Sequence, residues 1–283
     1  MKIGTTNTAY VYLGEAEGAK RAKKHGFDGF DYQYFLNTEK EYFKLNAKEF
    51  EKKTLEYKNI YESEGITVHQ THGPWRYPPK ELTPEDRNER FEAMSKAIYG
   101  TAVLGSKNFI IHPIMPYGAN SSENPEGMIA MNIEFFGRLC DVAEKYGITV
   151  CYENMPFPNL PIASVKQILD IVTQINRNSF KVCLDTGHCA VLGDDAGDAV
   201  RMIGKDRLYA LHVHDNDGKQ DYHWLPHTGV INWDSFKNAL NDINYDGILS
   251  LETSIKRKEI PESEWEEKEI ELANVAKNLA GII

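Results

Sequence analysis

Six stretches of this chain end on a side chain that can bind a cation or carry a proton, and each ending follows a short run rich in apolar and β-branched residues. In order these are His69 or His72, then His112, Glu153, Asp185, His212 and Glu252. On a strand, residues two apart share a face. Two before the last four stand Cys151, Cys183, Ala210 and Ser250, all small, while the intervening Tyr152, Leu184, Leu211 and Leu251 are large and suited to packing outward. A small layer under four polar side chains leaves room for an ion. Three carboxylates and an imidazole make a hard, mostly oxygen site that suits Mn²⁺, Mg²⁺ or Co²⁺, and additional histidines shift the preference towards Zn²⁺. The extras are His188, three past Asp185, and Asp221 and His223 in the following loop. One histidine in such a place is more often a hydrogen-bonded structural residue. The set is not explained that way, because eight of the nine histidines fall at these run ends or just after them. His25, beside Lys23 and Lys24 near a helix end, reads as a solvated cap.

Positioning these residues requires strands separated by helices. Strands are expected at 2–5, 28–32, 66–70, 108–112, 148–153, 181–185, 208–214 and 248–252. Helices are expected at 15–25, 47–64, 84–104, 128–146, 165–175, 195–203, 233–240 and 262–279, with Thr83-Pro84, Ser164 and Asn232 as starts and Gly26, Gly65, Gly105 and Gly147 as stops. In the second helix, Phe50, Leu55, Tyr57 and Ile60 are spaced for one buried face. Eight alternations predict an α/β fold, a single-domain (β/α)8 TIM barrel over 1–283, whose chemistry sits at the C-terminal strand ends. An open doubly wound sheet would want a Gly-rich first turn, which this chain lacks. The loop 71–79 is rich in Gly and Pro, and its Trp75, Arg76 and Tyr77 are placed to cover something.

With 41% hydrophobic residues the chain can bury a sizeable core, and its net charge of -10 works against unspecific binding to nucleic acid or anionic membranes. Small neutral substrates, or substrates held through a metal, fit better. A cytoplasmic protein is expected, without a leader of signal-peptide length or a run of about 18 apolar residues. Cys140, Cys151, Cys183 and Cys189 form no CxxC pair and read as buried packing residues. A homo-oligomer is compatible with the sequence, which does not set the number of copies.

The order His72, His112, Glu153-Asn, Asp185-Thr-Gly-His188, His212-Val-His-Asp215, Asp221-x-His223, Glu252 resembles the xylose-isomerase-like barrel superfamily over nearly the whole chain. That superfamily contains sugar and sugar-phosphate isomerases and epimerases, inositol-pathway enzymes and the endonuclease IV group. Resemblance to the ketose 3-epimerase branch implies that Glu153, Asp185, His212 and Glu252 hold one divalent ion, and that His188 contacts the substrate. It also implies that Glu153 and Glu252 flank the carbon that loses and regains a proton, through a metal-bound enediolate. Resemblance to the endonuclease IV branch implies a three-zinc site drawn from those four residues with His72, His112, His188, Asp221 and His223. Against that branch, the first strand lacks its glycine-rich opening, the acidic chain shows no basic stripe, and Asp28-Gly-Phe-Asp31 resembles the second strand of the sugar enzymes. His227-Thr-Gly229 stands where both branches often carry a Gly-Glu-Gly turn. The expected function is a metal-dependent isomerase or epimerase of a small sugar or sugar phosphate, with no nucleic-acid partner. The alternatives are a tri-zinc phosphodiesterase acting on abasic DNA and a dehydratase of a polyol-derived ketone such as a keto-inositol.

Overall fold

The computed structural model describes residues 1–79, 81–119 and 121–283. Eight strands, β1 (Lys2–Thr6), β2 (Gly29–Tyr32), β3 (Thr67–His72), β4 (Asn108–Ile111), β5 (Thr149–Glu153), β6 (Phe180–Asp185), β7 (Leu208–His212) and β8 (Ile248–Leu251), form one parallel sheet. Each strand pairs with its neighbours in sequence, and β8 pairs with β1. Between β7 and β8 the circle closes through a single bridge, Val213 with Leu251. The architecture is the expected single-domain (β/α)8 barrel.

The helices are α1 (Glu15–His25), α2 (Glu41–Lys44), α3 (Ala47–Ser63), α4 (Pro84–Leu104), α5 (Pro125–Tyr146), α6 (Val165–Ile175), α7 (Thr186–Leu192), α8 (Ala196–Ile203), α9 (Trp233–Asp242) and α10 (Trp265–Leu279). Their starts follow the capping chemistry of the sequence. Thr83 accepts the Asp86 amide and Pro84 occupies the first turn, while Ser164 and Gln167 complete a reciprocal box. Helix α5 begins one turn earlier than its apolar stripe, because Asn124 accepts the Gly127 amide and Pro125 fills a first-turn position whose N–H would go unused. The one-turn α2 and the seven-residue α7 are too short to show a period and were not expected. Leu55 does not join the buried face of α3: it is 39% exposed, and Phe50, Thr54 and Tyr61 line the core there instead. His25 is likewise no solvated cap. It is 7% exposed, its Nδ1 lies 3.0 Å from the Tyr10 hydroxyl, and burial lowers its pKa.

The alternation argument holds on both faces. Cys151, Cys183 and Ala210, joined by Ile110, make a buried cluster inside the barrel, separate from the main core. Outward, Tyr152 packs against Phe136 and Phe180 beneath the helices. On the opposite inner wall β2–β3 pairing skips His69, so that Phe30 faces Val68 while Asp31 faces Gln70. That bulge turns His69 inward below the rim, where its Nε2 lies 3.0 Å from the Ser250 hydroxyl. Gly4 and Gly29 make the space: a Cβ at Gly4 would sit 2.3 Å from the His69 ring, and one at Gly29 would sit 2.9 Å from it. Of the two histidines of this strand, His72 reaches the rim.

Candidate active site

Burial removes water as a partner, so carboxylates and imidazoles gathered at one end of a barrel must satisfy one another. His212, the last residue of β7, is the hub. Its Nδ1 lies 2.7 Å from Glu153 Oε1 and 3.2 Å from Glu252 Oε2, and its Nε2 lies 2.9 Å from Asp31 Oδ2. With an ion at Nδ1, Nε2–H would donate to Asp31; without one, carboxylates on both sides favour the doubly protonated, charged ring. Burial disfavours that charge, but Glu153, Glu252 and Asp31 outweigh it and raise the His212 pKa well above the ordinary value. One ligand atom each from Glu153, Asp185, His212 and Glu252 lies within 4.8 Å of the other three.

Two flanking groups extend this centre. On one side His112 Nε2 and His72 Nε2 lie 2.9 and 3.7 Å from Glu153 Oε2, an oxygen that accepts no aligned hydrogen bond among the described residues. On the other, His188 Nε2 and His223 Nε2 each lie 3.2 Å from Asp221 Oδ2, and His214 Nε2 lies 3.0 Å from Asp185 Oδ2. Three of these rings have their tautomer fixed from behind. The Nδ1 atoms of His72, His188 and His223 donate to the backbone carbonyls of Gly73, Asn154 and Glu252 at 2.9, 2.7 and 2.7 Å. Their Nε2 atoms are left to face carboxylates, an arrangement satisfied by a second proton or by a cation, and the usual way a protein presents a histidine ligand. Burial opposes the second proton, yet Asp185 and Asp221 push the His188 pKa up to about 10; hydrogen bonding to Asp221 and the charge of Glu252 do the same for His223. The donor chemistry therefore fits one divalent ion at the four central residues and leaves room for more at the flanks. Orphaned buried oxygens on Glu153, Asp31 and Asp221 point the same way.

The carboxylates are not equivalent. Burial pushes Glu153 up, but His212 and His112 outweigh it and hold the group well below the usual carboxylate range. At Glu252 burial wins over His212 and His223, and the pKa is raised. Glu252 is also the more accessible, at 14% side-chain exposure against 1% for Glu153. Asp185 is fixed on two sides. Its Oδ1 accepts the His188 amide and caps α7, and its backbone is clamped by the Asn154 side-chain amide at 2.8 and 3.0 Å. Above these residues opens a cavity of about 490 Å³, lined on its floor by His72, His112, Glu153, His188, Asp221, His223 and Glu252.

The sequence model of xylose isomerase-like TIM barrels matches residues 19–274. The chain belongs to that family. A D-psicose 3-epimerase of Ruminiclostridium cellulolyticum is 28% identical over 209 residues, which span 71% of this chain and 68% of the epimerase. Among solved structures, a D-tagatose 3-epimerase-like protein superposes with a TM-score of 0.78 at 22% identity, covering 100% of this chain and 98% of its own. The IOLI protein, whose structure has a bound zinc atom, gives 0.75 at 18% identity, covering 99% and 96%. At those identities the two structures speak for the shared fold.

All nine residues singled out in the sequence of this family member meet at one end of the barrel. Four participants were not singled out: Asp31, His214, Gln33 and Asn154. His214 lies two past His212, so strand alternation alone would have placed it on the same side. Asp31 is the last residue but one of β2, just after the register shift that the sequence does not announce. Gln33 Nε2 lies 3.3 Å from both Asp31 Oδ2 and Glu252 Oε1, linking the two carboxylates. In the His227–Gly229 turn, Gly229 donates to Asp215 Oδ2 at 3.0 Å and Trp233 Nε1 donates to the same oxygen at 2.9 Å, so this turn is tied down by Asp215.

Proposed function

We propose that this protein is a divalent-metal-dependent isomerase or epimerase of a small, non-phosphorylated sugar. The observation that carries this reading is the convergence of Glu153 and Glu252, from β5 and β8, on His212 Nδ1 at the floor of a sugar-sized or larger cavity, with Asp185 buried beside them. Glu153, Asp185, His212 and Glu252 would hold the ion. The chemistry a divalent ion supplies in such a site is polarisation of a carbonyl and stabilisation of the negative charge on its oxygen. Glu153 and Glu252, reaching the site from β5 and β8, would remove and return the proton on the carbon beside that carbonyl, each working on its own face of the substrate. Reversing the roles runs the reaction backwards. His188 and His223, anchored through Nδ1, orient substrate hydroxyls. No lysine or arginine among the described residues lines this cavity, and Arg257, which lines the adjoining one, is held by Glu269 and the Ala9 carbonyl, so a phosphate would find no open guanidinium fork there.

The test is a panel of free ketoses and aldoses given to metal-replete protein in D₂O and followed by NMR. Deuterium should enter at the carbon next to the carbonyl, with inversion there for an epimerase. Product formed without solvent deuterium would point to a hydride shift and remove the two-carboxylate mechanism.

One feature favours a second reading, a phosphodiesterase with three zinc ions: beside the central four, His72–Glu153–His212, Asp185–His188–His214 and His214–Asp221–His223 each bring three ligand atoms within 4.8 Å of one another. The net charge of -10 and a lining without lysine or arginine weigh against a nucleic-acid backbone. Three bound zinc ions together with incision of an abasic duplex would promote it over the isomerase.

A further inference from the structure

The cavity has two unlike halves. Its floor is the ionisable set already described, whereas its outer wall is Leu36, Trp75, Tyr77, Met155, Pro156 and Phe157, with no charged side chain among them. These come from the loops after β2, β3 and β5. Tyr77, 64% exposed, stacks on half-buried Phe157 across two loops with ring centroids 5.9 Å apart and planes within 17°. Trp75 stands edge-on to His112 at 4.5 Å and is backed by the Arg90 guanidinium 5.9 Å from its ring. Arg90 in turn pairs with buried Glu81 and donates to the His112 carbonyl at 3.0 Å. The wall is thus a prepared surface rather than loose loop packing.

Beyond Glu252 and His223 lies a second cavity of about 300 Å³ with the opposite character, lined by Thr6, Thr8, Gln33 and Ser254 among others. Glu252 and His223 belong to both cavities and divide them. Sugar hydroxyls find partners on the floor and on the threonine side. Pressed against the wall they would lose water and gain nothing, a cost of about 1–3 kcal/mol each by general experience. A volume of 490 Å³ is also in the range of pockets that enclose ligands larger than one hexose.

Resting on the isomerase reading above, we infer that the ligand is not a free hexose but a sugar bearing an apolar, flat-faced substituent. The sugar lies over Glu153 and Glu252, and the substituent lies between Trp75, Tyr77, Met155 and Phe157. An aryl group and the C–H face of a second sugar ring share this chemistry, since both stack on aromatic side chains.

The test is calorimetric binding to metal-replete protein, comparing phenyl glycosides and disaccharides with methyl glycosides of the same sugars. Phenyl glycosides should bind at least tenfold more tightly than methyl glycosides if an aryl group is the occupant; disaccharides should show that advantage instead if a second ring is. In Tyr77→Ala and Phe157→Ala proteins the advantage should fall below threefold. Equal affinities throughout, or an advantage that survives both substitutions, would overturn the inference. Solvent exchange is read separately: exchange on free ketoses without any substituent advantage leaves the isomerase reading intact and removes this one. A substituent advantage with no exchange on any sugar removes the isomerase reading alone.

Discussion

The ring of carboxylates and the aromatic wall above it share one cavity but are built by opposite means. Glu153, Asp185 and His212 are the last residues of β5, β6 and β7, are almost fully buried, and each is held by at least one other member of the ring. Trp75, Tyr77 and Phe157 sit on loops, partly or largely exposed; Tyr77 and Phe157 stack on each other, and Trp75 stands edge-on to His112. A reacting group misplaced by about 1 Å can cost about 10²-fold in rate, whereas a stacked ring tolerates sliding, so the chemistry is mounted on strands and shape recognition on loops. Substitutions in the ring should therefore act on chemistry and metal, and those in the loops on selectivity or modest stability.

The largest effect expected is for Glu252→Gln. The amide keeps an oxygen for coordination but takes no proton, so kcat should fall by about 10²–10⁴ with KM little changed; a near-normal rate would refute its role. Next, Asp185→Asn should abolish bound metal by elemental analysis while circular dichroism shows an intact fold. Asparagine keeps the oxygen that caps α7, and the core lies below the site. Full metal occupancy in that variant would remove Asp185 from the ion's ligands. A third effect is on stability. Burial lowers the His69 pKa to about 4, only partly offset by Asp31, so the folded protein holds the ring neutral where the unfolded chain takes up a proton. Its contribution is complete above the ordinary value of 6.5 and is lost as pH falls through about 4. The displacement corresponds to at most about 3 kcal/mol, less because an edge of the ring reaches solvent. Urea unfolding of chelator-treated protein should show the loss, and His69→Leu should flatten it. The smallest change belongs to the loops. Ser164→Ala removes the cap that anchors the Phe157 loop and should cost about 1 kcal/mol by the same unfolding assay, with kcat unaltered.

Much of the ring was legible because it obeys strand rules. Period-two alternation ties Glu153 to Cys151 and Asp185 to Cys183, and turns a list of residues into a direction. The same rule, carried one step beyond His212, reaches His214. His214 lies within the expected strand 208–214, but the observed β7 stops at His212 and Val213 makes only a single bridge to Leu251. Asp31 stayed hidden for a different reason: the bulge at His69 shifts the register of its partner strand, and such an insertion leaves no compositional trace. Helix α7 was missed because its cap is Asp185, a residue already assigned another duty. His25 was misjudged because neighbouring lysines suggest solvent, while the Tyr10 hydroxyl that buries it comes from fifteen residues earlier. The wall was half visible: Trp75 and Tyr77 stood out in a Gly- and Pro-rich loop, but Phe157 arrives from another loop altogether.

The closure of the barrel carries a mechanical consequence. Seven of its eight seams are laddered, and the eighth is fastened by Val213 alone, through hydrogen bonds of 2.9 and 3.1 Å to Ser250 and Glu252. Immediately above that weak seam His212 stands on one lip and Glu252 on the other, 3.2 Å apart. An ion gripped by both would act as a clasp, so that loading the site also buttons the cylinder shut. Backbone amide exchange at Val213 and Glu252 should slow on adding metal far more than exchange within the β4–β5 ladder on the far side.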